Sequence, residues 1–459
     1  MELDNVVDIN SRMRQARENF GNDEQEAIMA DIMLKYGTYK GDVVDLMTGE
    51  VLQRARAIHE WGDHRTFEVE VEGANGPRTQ RLNPIVQLFF RPERVQIRKF
   101  FMDPTQSFGH VGDGMFNVFA GWRRNPVEGD VSVWLNFVNQ VLIDIPGAVE
   151  FFHDWVAQIV QKPWEKNYTI ITLAGKTEGT GKSLLASTIA EMMGTELSNE
   201  SDHRPAPSFV TSGEKIFDRF NGSVLTGKTL VVADEVSSKR ESNTDMVKDL
   251  VTSRFLTIES KFKDSFQQAN FLNFILTTNK ATATLVDDES RRDVIFNIQQ
   301  KDQALMERLG KELVAWCLDG GYEFILDWYY KRDISGYSAR SKAPRFLGFE
   351  DSVFASKSNA TIALDTVMDA ISDFGKGMAL TSREANDIYA SFGFKDVKQV
   401  RREETRHPVY IKQKAISVKG VKIHHVIYNE ELSNEELLKN GREFIVLVLG
   451  ALGVGDSNF

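Results

Sequence analysis

The chain is short of cysteine: of its 459 residues only Cys317 is one, within the helix-like stretch "LVAWCLDGG". A lone cysteine excludes an intrachain disulfide framework and a cysteine-based zinc site, and its surroundings predict a buried structural thiol. Long apolar runs are missing too. No stretch approaches the roughly 18 consecutive apolar residues of a membrane span. The N-terminal "MELDNVVDINSRMRQ" carries charges where a secretory signal needs an apolar segment. These two absences predict a soluble, unexported protein of the cytoplasm, with no membrane partner. Positive charge is also in deficit. The formal net charge is -11, so the surface as a whole repels nucleic acid, and any binding to it must come from a locally basic groove or pore.

What is present is enough for a multidomain globular protein. The hydrophobic content is 42% over 459 residues, ample for two or three cores. The first forty or so residues are charged and helix-prone. "FEVEVEGANGPRTQRL" alternates polar and apolar residues and breaks at Asn75-Gly76-Pro77, which predicts a β-hairpin. Phe151 to Val160 repeats apolar residues at helical spacing and is stopped by Pro163.

From Tyr168 to about Gln300, the runs "TIITLAG", "TLVVADE" and "NFLNFILTTN" alternate with helical segments, the pattern of a parallel α/β sheet. A helix from Ala304 to Leu318 closes this core, and "KRDISGYSARSKAPRFLG" reads as an irregular connection. Beyond it come a helix around Leu364 to Phe374, a capping box at Thr381-Ser-Arg-Glu384, and two strand-like runs, "VYIKQKAISV" and "VKIHHVIY". Together they predict a small winged-helix-like module. The expected division is 1–165, an N-terminal α+β or oligomerisation region; 166–335, the α/β core; 336–360, a linker; and 361–459, the C-terminal module.

Three motifs in the core carry chemistry. "GKTEGTGKSLL" follows a strand and opens a helix, so backbone N–H groups and a helix N-terminus converge on an anion. The phosphate-binding residues would be Gly175, Glu178, Gly179, Thr180, Gly181, Lys182, Ser183 and Leu184, with Lys182 on the β- and γ-phosphates of ATP and the Ser183 hydroxyl on Mg²⁺. The spacing is one residue longer than the G-x-x-x-x-G-K-[ST] pattern: Lys176 stands where the first glycine belongs, and Gly175 precedes it.

About fifty residues on, "LVVADE" ends a strand in two carboxylates. Asp234 would hold the metal and Glu235 would polarise the attacking water. Taken alone, such a strand end is as well read as a pair of solvated acids. "NFLNFILTTN" places Asn279 at a strand tip, where its amide could orient that water or simply form a turn. "DDESRRDVIFNI" sets Arg291 and Arg292 before another strand. One of them could stabilise the transition state at a neighbouring subunit's γ-phosphate, or both could pair with Asp287, Asp288 or Glu289.

The order of these motifs, with "KDLVTSRFLTIESKFKDSFQQANF" between the acidic pair and the TTN strand, resembles the superfamily 3 helicases, a ring-forming branch of the AAA+ ATPases. "FMDP", "FNVFAGWRRNPVEGD", "WVAQIVQKPWEK", "GTGKS" and "LDGGYEFILDWYYKRDIS" resemble the helicase part of bacteriophage primase-helicase and polymerase-helicase proteins, over roughly residues 85 to 345. The resemblance implies an AAA+ P-loop core, an ATP-driven homo-hexameric ring on single-stranded or forked DNA, and a location in the host bacterial cytoplasm. It also implies a pore hairpin whose basic residue grips the backbone. By position the candidates are Lys261 and Lys263, with Lys248 more distant.

No D-x-D pair followed by a spaced histidine marks a polymerase or primase site, so a separate primase or polymerase is the expected partner and residues 1–165 the expected collar. Between Lys395 and His425 nine Lys/Arg face three Asp/Glu, a local excess of +6 that suits either a DNA-touching wing or a protein-docking surface. Two other functions fit the same motifs: a duplex translocase or loader of a replication protein, and a non-catalytic nucleotide-dependent scaffold.

Overall fold

The computed structural model describes residues 24–62, 67–73, 76–195, 204–212, 225–236, 241–258, 266–281, 283–357, 359–391, 412–418, 421–428 and 432–451. The chain divides into two compact units, Met1–Val353 and Phe354–Phe459. Among the described residues no helix is long and apolar enough to cross a membrane.

The first unit is organised by a five-stranded parallel sheet: β1 (Ile170–Ala174), β2 (Ser208–Ser212), β3 (Leu230–Asp234), β4 (Asn273–Thr278) and β5 (Asp293–Asn297), in the spatial order β2-β3-β4-β1-β5. The near-continuous apolar runs are explained by burial on both faces. Ile171, Leu173, Leu230, Val232, Ile275, Val294 and Phe296 pack on one side against helices Ser132–Leu142, Ala148–Gln161, α1 (Lys182–Met193), Gln303–Trp316 and Tyr322–Lys331. Their alternating neighbours Ile170, Val231, Ala233, Phe274 and Leu276 face the helix α2 (Glu241–Thr252) and the antiparallel ladder Phe255–Ile258/Phe266–Ala269. Period-two alternation is thus preserved although both sets are apolar.

Strand β2 was not signalled by any long apolar run. It sits at the sheet edge with the burial of only some of its residues, and an edge strand needs only one apolar face. Cys317 is buried, and burial pushes its thiol up to about 12. It lies at a kink between two helices, Cys317–Gly321, where Asp319 and Gly320 leave helical geometry and Gly320 adopts φ +97°.

The stretch after Arg332 has irregular backbone but is not loose. Ile334, Ala339 and Ala343 are buried, Tyr168 N donates to Ala339 O at 3.0 Å, and Ala343 N donates to Arg291 O at 2.9 Å. The Phe346 ring packs on Phe296 and Phe151. Segments expected as a linker are therefore strapped to the sheet edge as far as Val353, because their apolar residues find a groove beside β5.

Upstream, antiparallel strands Tyr36–Tyr39, Asp42–Asp45 and Val51–Leu52 continue into Gln96–Ile97, and Phe67–Gly73 pairs with Gly76–Leu82. Gly76 and Pro77, expected within the break, belong instead to the second strand of that hairpin. The second unit holds a three-stranded antiparallel sheet, Met378–Thr381, Val421–Tyr428 and Lys412–Val418, with Val421–Tyr428 central, and helices Asn359–Phe374, Ser382–Ser391 and Asn434–Ala451. The capping box is reciprocal: Thr381 N donates to Glu384 Oε2 at 2.7 Å, and Glu384 N donates to Thr381 Oγ1 at 3.1 Å. Most of the basic stretch from Lys395 lies outside the described residues.

Candidate nucleotide site

Because all five strands run the same way, their C-terminal ends share one edge. The connection leaving β1 crosses to β2 at one side of the sheet, and the one leaving β4 crosses back over β1 to β5. Such reversals leave a crevice at the strand ends where ligands of open α/β sheets collect.

The loop from Gly175 to Gly181 lies in this crevice. Gly175 is fixed by a close approach: a Cβ there would meet the carbonyl oxygen of Ile298 at 2.5 Å, and Ile298 N donates to Ala174 O at 2.8 Å. The glycine displaced by one residue from the usual spacing is thus the one the backbone requires. Gly179 and Gly181 have φ of +72° and +87°, values that exact a strain from any residue with a Cβ. Gly181 caps α1 without a side-chain hydrogen bond, so the N–H groups of Lys182, Ser183 and Leu184 head an open helix N-terminus.

Lys182 is buried. Its ammonium donates to Gly175 O at 3.2 Å, Thr177 O at 2.8 Å and Thr180 Oγ1 at 3.1 Å. Burial lowers its pKa, while Glu178 and Asp234 act in the opposite direction. Thr180 therefore turns its hydroxyl inward to the lysine, and Glu178 is exposed at the loop surface.

Ser183 is exposed and its hydroxyl donates to Asp234 Oδ1 at 2.8 Å, joining residues 51 apart in the chain. Asp234 also accepts from the hydroxyl of Thr277, on the strand between β1 and β3. The same threonine hydroxyl accepts from Glu235 N at 3.2 Å, and Thr277 O accepts from Val236 N at 2.8 Å. Glu235 has φ +56°. A non-glycine residue in the left-handed region carries strain of order 1 kcal/mol. Here the turn lifts the Glu235 carboxylate off the end of β3 into solvent. Asn279 is exposed one residue past the end of β4. Thr277 is the hub that sequence reasoning passed over. The signal lay in "TTN", where attention fell on the amide rather than on the first hydroxyl.

A magnesium ion fits this set in one specific way. Among the described residues no three His, Cys, Asp or Glu side chains converge. The Ser183 hydroxyl and Asp234 carboxylate supply one neutral and one anionic oxygen side by side, which suits an ion that takes its remaining oxygens from phosphates and water.

Beside the loop lies an open groove of about 700 Å³ lined by Phe137, Leu184, Met306 and Val314, with Gln303, Glu307 and Lys311 as its polar side chains. It is of ligand size and mostly apolar. Sequence reasoning did not find it, because Phe137 and Met306 come from helices on either side of the motif region and read as ordinary core residues.

The remaining candidates are elsewhere. Arg291 is exposed and makes no ion pair among the described residues, whereas the Nε of Arg292 is buried without a hydrogen-bond partner. Lys248 lies on α2, with its ammonium 3.5 Å from Asp287. Lys261 and Lys263 lie outside the described residues. The ladder that flanks them is described, and its foot is tied down: Asn270 donates to Leu250 O at 2.7 Å and Ser253 O at 2.8 Å, and the Lys166 ammonium donates to Ser253 O at 2.7 Å.

Residues 173–292 match DUF5906, a family of unknown function. No curated protein matches the chain. Among solved structures, the A form apo structure of the NrS-1 C terminal region is similar at 14% identity and a TM-score of 0.52, over 80% of this chain and 96% of that one. A second apo structure of the same region is similar at 15% identity and a TM-score of 0.52, over 80% and 95%. At such identities the likeness is one of fold, and the chain shares the α/β fold of that region.

Proposed function

We propose that the protein is an ATP-driven ring helicase of the AAA+ superfamily 3 type, which moves along single-stranded DNA and opens duplex during phage genome replication. The observation that carries this reading is the Ser183–Asp234 hydrogen bond at 2.8 Å. It joins the phosphate loop to the acidic strand end, two motifs that separately have ordinary explanations.

In this mechanism Lys182 leaves its three loop oxygens for the β- and γ-phosphates, and the N–H groups heading α1 hold the same phosphates. Ser183 and Asp234 would hold Mg²⁺, which when bound neutralises charge on the phosphate oxygens. Glu235, lifted from its strand, accepts a proton from a water that attacks the γ-phosphorus. The bond from that phosphorus to the bridging oxygen of ADP breaks, giving ADP and inorganic phosphate. Asn279 orients the water, and Thr277 fixes both acids. The adenosine moiety fits the apolar groove, with Gln303 available to its polar edge. A guanidinium from the next protomer stabilises the developing charge. The ladder at 255–269, with Lys261 and Lys263 in its connecting segment, is the element that would hold DNA phosphates.

The test is hydrolysis of MgATP together with strand displacement on forked DNA, comparing wild type with Lys182→Ala. The expected result is displacement that requires ATP, and at least a hundredfold loss of turnover in the variant. Hydrolysis without strand release would shift the reading to a duplex translocase or loader. Nucleotide binding without hydrolysis would leave a scaffold.

A further inference from the structure

We infer that Lys166 and Asn270 are positioning residues that tie the foot of the ladder Phe255–Ile258/Phe266–Ala269 to β1 and β4, the strands whose far ends form the nucleotide site. Resting on the ring ATPase reading above, this tie is what would join hydrolysis to movement on DNA.

The tie is made at a helix end. The last carbonyls of an α-helix have no partner within it and carry the negative end of its dipole. At the end of α2 they are met from two directions. Asn270, the residue after the ladder's second strand, donates from Nδ2 to Leu250 O at 2.7 Å and to Ser253 O at 2.8 Å. Its Oδ1 accepts from Leu272 N at 3.0 Å, which fixes the orientation of the amide, and its own N donates to Arg254 O at 2.9 Å. From the other side, the Lys166 ammonium donates to the same Ser253 O at 2.7 Å. One carbonyl oxygen, with two lone pairs, therefore holds a donor from each residue.

Lys166 is buried, and a lysine is seldom so unless its charge is met. Here the carbonyl, the helix end and Asp249 meet it. Burial lowers its pKa to about 8, and the Asp249 carboxylate on α2 opposes that shift. Asp249 in turn accepts from the Ser253 hydroxyl at 2.6 Å. Lysine, helix end and ladder foot are thus one bonded group.

Both partners lead directly to the nucleotide site. Lys166 precedes β1, which runs into Gly175 and the phosphate loop. Asn270 precedes β4, which carries Thr277, the hydroxyl shared by Asp234 and Glu235 N. The two strands are neighbours, with Ile171 opposite Ile275, and Asn167 N donates to Asn273 Oδ1 at 2.9 Å where they begin. A strand of this length spans about 17 to 20 Å of backbone. A displacement at its phosphate end is carried to the ladder through Lys166 and Asn270.

The experiment uses the full chain and measures MgATP hydrolysis without DNA, base pairs opened per ATP on a fork, and backbone hydrogen exchange. Lys166→Met keeps the stem and leaves Ser253 O its bond from Asn270, so the fold is retained. One hydrogen bond from a charged donor is worth about tenfold in an equilibrium. Exchange within the ladder should quicken about tenfold while exchange within β1 and β4 stays as it was. Turnover and KM for ATP without DNA should stay within about twofold of wild type, and base pairs opened per ATP should fall about tenfold. Asn270→Asp, which turns a carboxylate toward the same two carbonyls, should lower that yield at least as far. The double variant should fall short of the product of the two, since both act through Ser253 O.

A merely structural role would reduce hydrolysis and opening together with the folded fraction and leave the yield per ATP unchanged. That result would overturn the assignment, as would unaltered exchange in the ladder, exchange quickened equally in β1 and β4, or variants whose effects simply multiply. A wild-type protein that hydrolyses no ATP or opens no duplex would instead sink the helicase reading and the coupling with it, and the exchange measurement would then decide the tie alone.

Discussion

The two ends of the central sheet are both polar, and they use polarity in opposite ways. At the N-terminal ends of the strands, Asn167 N donates to Asn273 Oδ1 at 2.9 Å, and Asn273 Nδ2 donates to Thr229 O at 3.0 Å. Asn167 Nδ2 donates to Trp155 O at 3.0 Å, and its Oδ1 accepts from the Tyr337 hydroxyl at 2.8 Å. Trp155 Nε1 donates to Thr169 Oγ1 at 3.0 Å, and the Lys228 ammonium donates to Ala206 O at 2.7 Å. All of these side chains but the half-buried Tyr337 are buried, and each finds a backbone or side-chain partner. At the C-terminal ends, Ser183, Glu235 and Asn279 are exposed, three backbone positions have positive φ, and the helix N-terminus lacks a side-chain cap. A closed polar network fixes a scaffold. An open one, with strain held in place by neighbours, is where chemistry is placed. The difference separates polar residues that hold the sheet together from those that would act on a ligand.

The sharpest way to break that comparison is at the closed end. Asn273→Ala removes the acceptor of the Asn167 N–H and both donors that Asn273 supplies, to Thr229 O and Phe271 O. Thr229 O keeps the bond from Asn273 N at 2.8 Å, but Asn167 N and Phe271 O each lose a partner, at about 1 to 3 kcal/mol apiece, so a loss of about 3 kcal/mol in urea unfolding is expected. Hydrolysis per folded molecule should be unchanged. A variant of native stability, or one folded yet inactive, would show that the two ends are not separable in this way.

His153 sharpens the same distinction through pH. It is buried among Trp134, Phe152 and Trp328, with Nδ1 2.9 Å from the Tyr329 hydroxyl. Burial, with Arg332 adding to it, depresses its pKa from 6.5 to about 3. The unfolded chain therefore takes up a proton near pH 6.5 that the folded chain refuses until about pH 3. Stability from this group is complete above pH 6.5 and falls as the solution is acidified, by about 1.4 kcal/mol per pH unit. At pH 5 this amounts to about 2 kcal/mol. His153→Gln, which can keep a hydrogen bond to Tyr329, should flatten the stability curve between pH 6.5 and 5 relative to wild type. Parallel curves would mean that the folded state accommodates an imidazolium.

How much of this was legible in the sequence follows from what each signal depends on. The strands β1, β3 and β4 were visible because burial on both faces demands unbroken apolar runs, and the helix at 148–161 because its period is strong. The loop, Asp234 and Glu235 were visible because strand, turn and helix follow one another locally. Thr277 and the groove were not, since their significance comes from strand order: only when β4 is placed between β1 and β3 does its first threonine meet Asp234. The strapped segment after Arg332 read as a connection because irregular backbone carries no periodicity, and its burial depends on a groove formed elsewhere.

The smallest stability effect expected concerns the strained residue itself. Glu235 holds φ +56° while Thr277 receives its N–H and that of Val236, so the conformation is imposed by β4 rather than chosen by glutamate. Glycine reaches that region without the Cβ penalty, although it gains freedom in the unfolded chain. The two terms leave Glu235→Gly more stable than wild type by up to about 1 kcal/mol. The same substitution removes the carboxylate proposed to take the proton from the attacking water, so ATP should bind and turnover should fall by two orders of magnitude or more. Glu235→Ala is the control: it loses the carboxylate equally but keeps a Cβ, and should be less stable than Glu235→Gly with the same loss of turnover. If glycine and alanine proved equally stable, the turn would relax at no cost, and the open end of the sheet would be exposed without being strained.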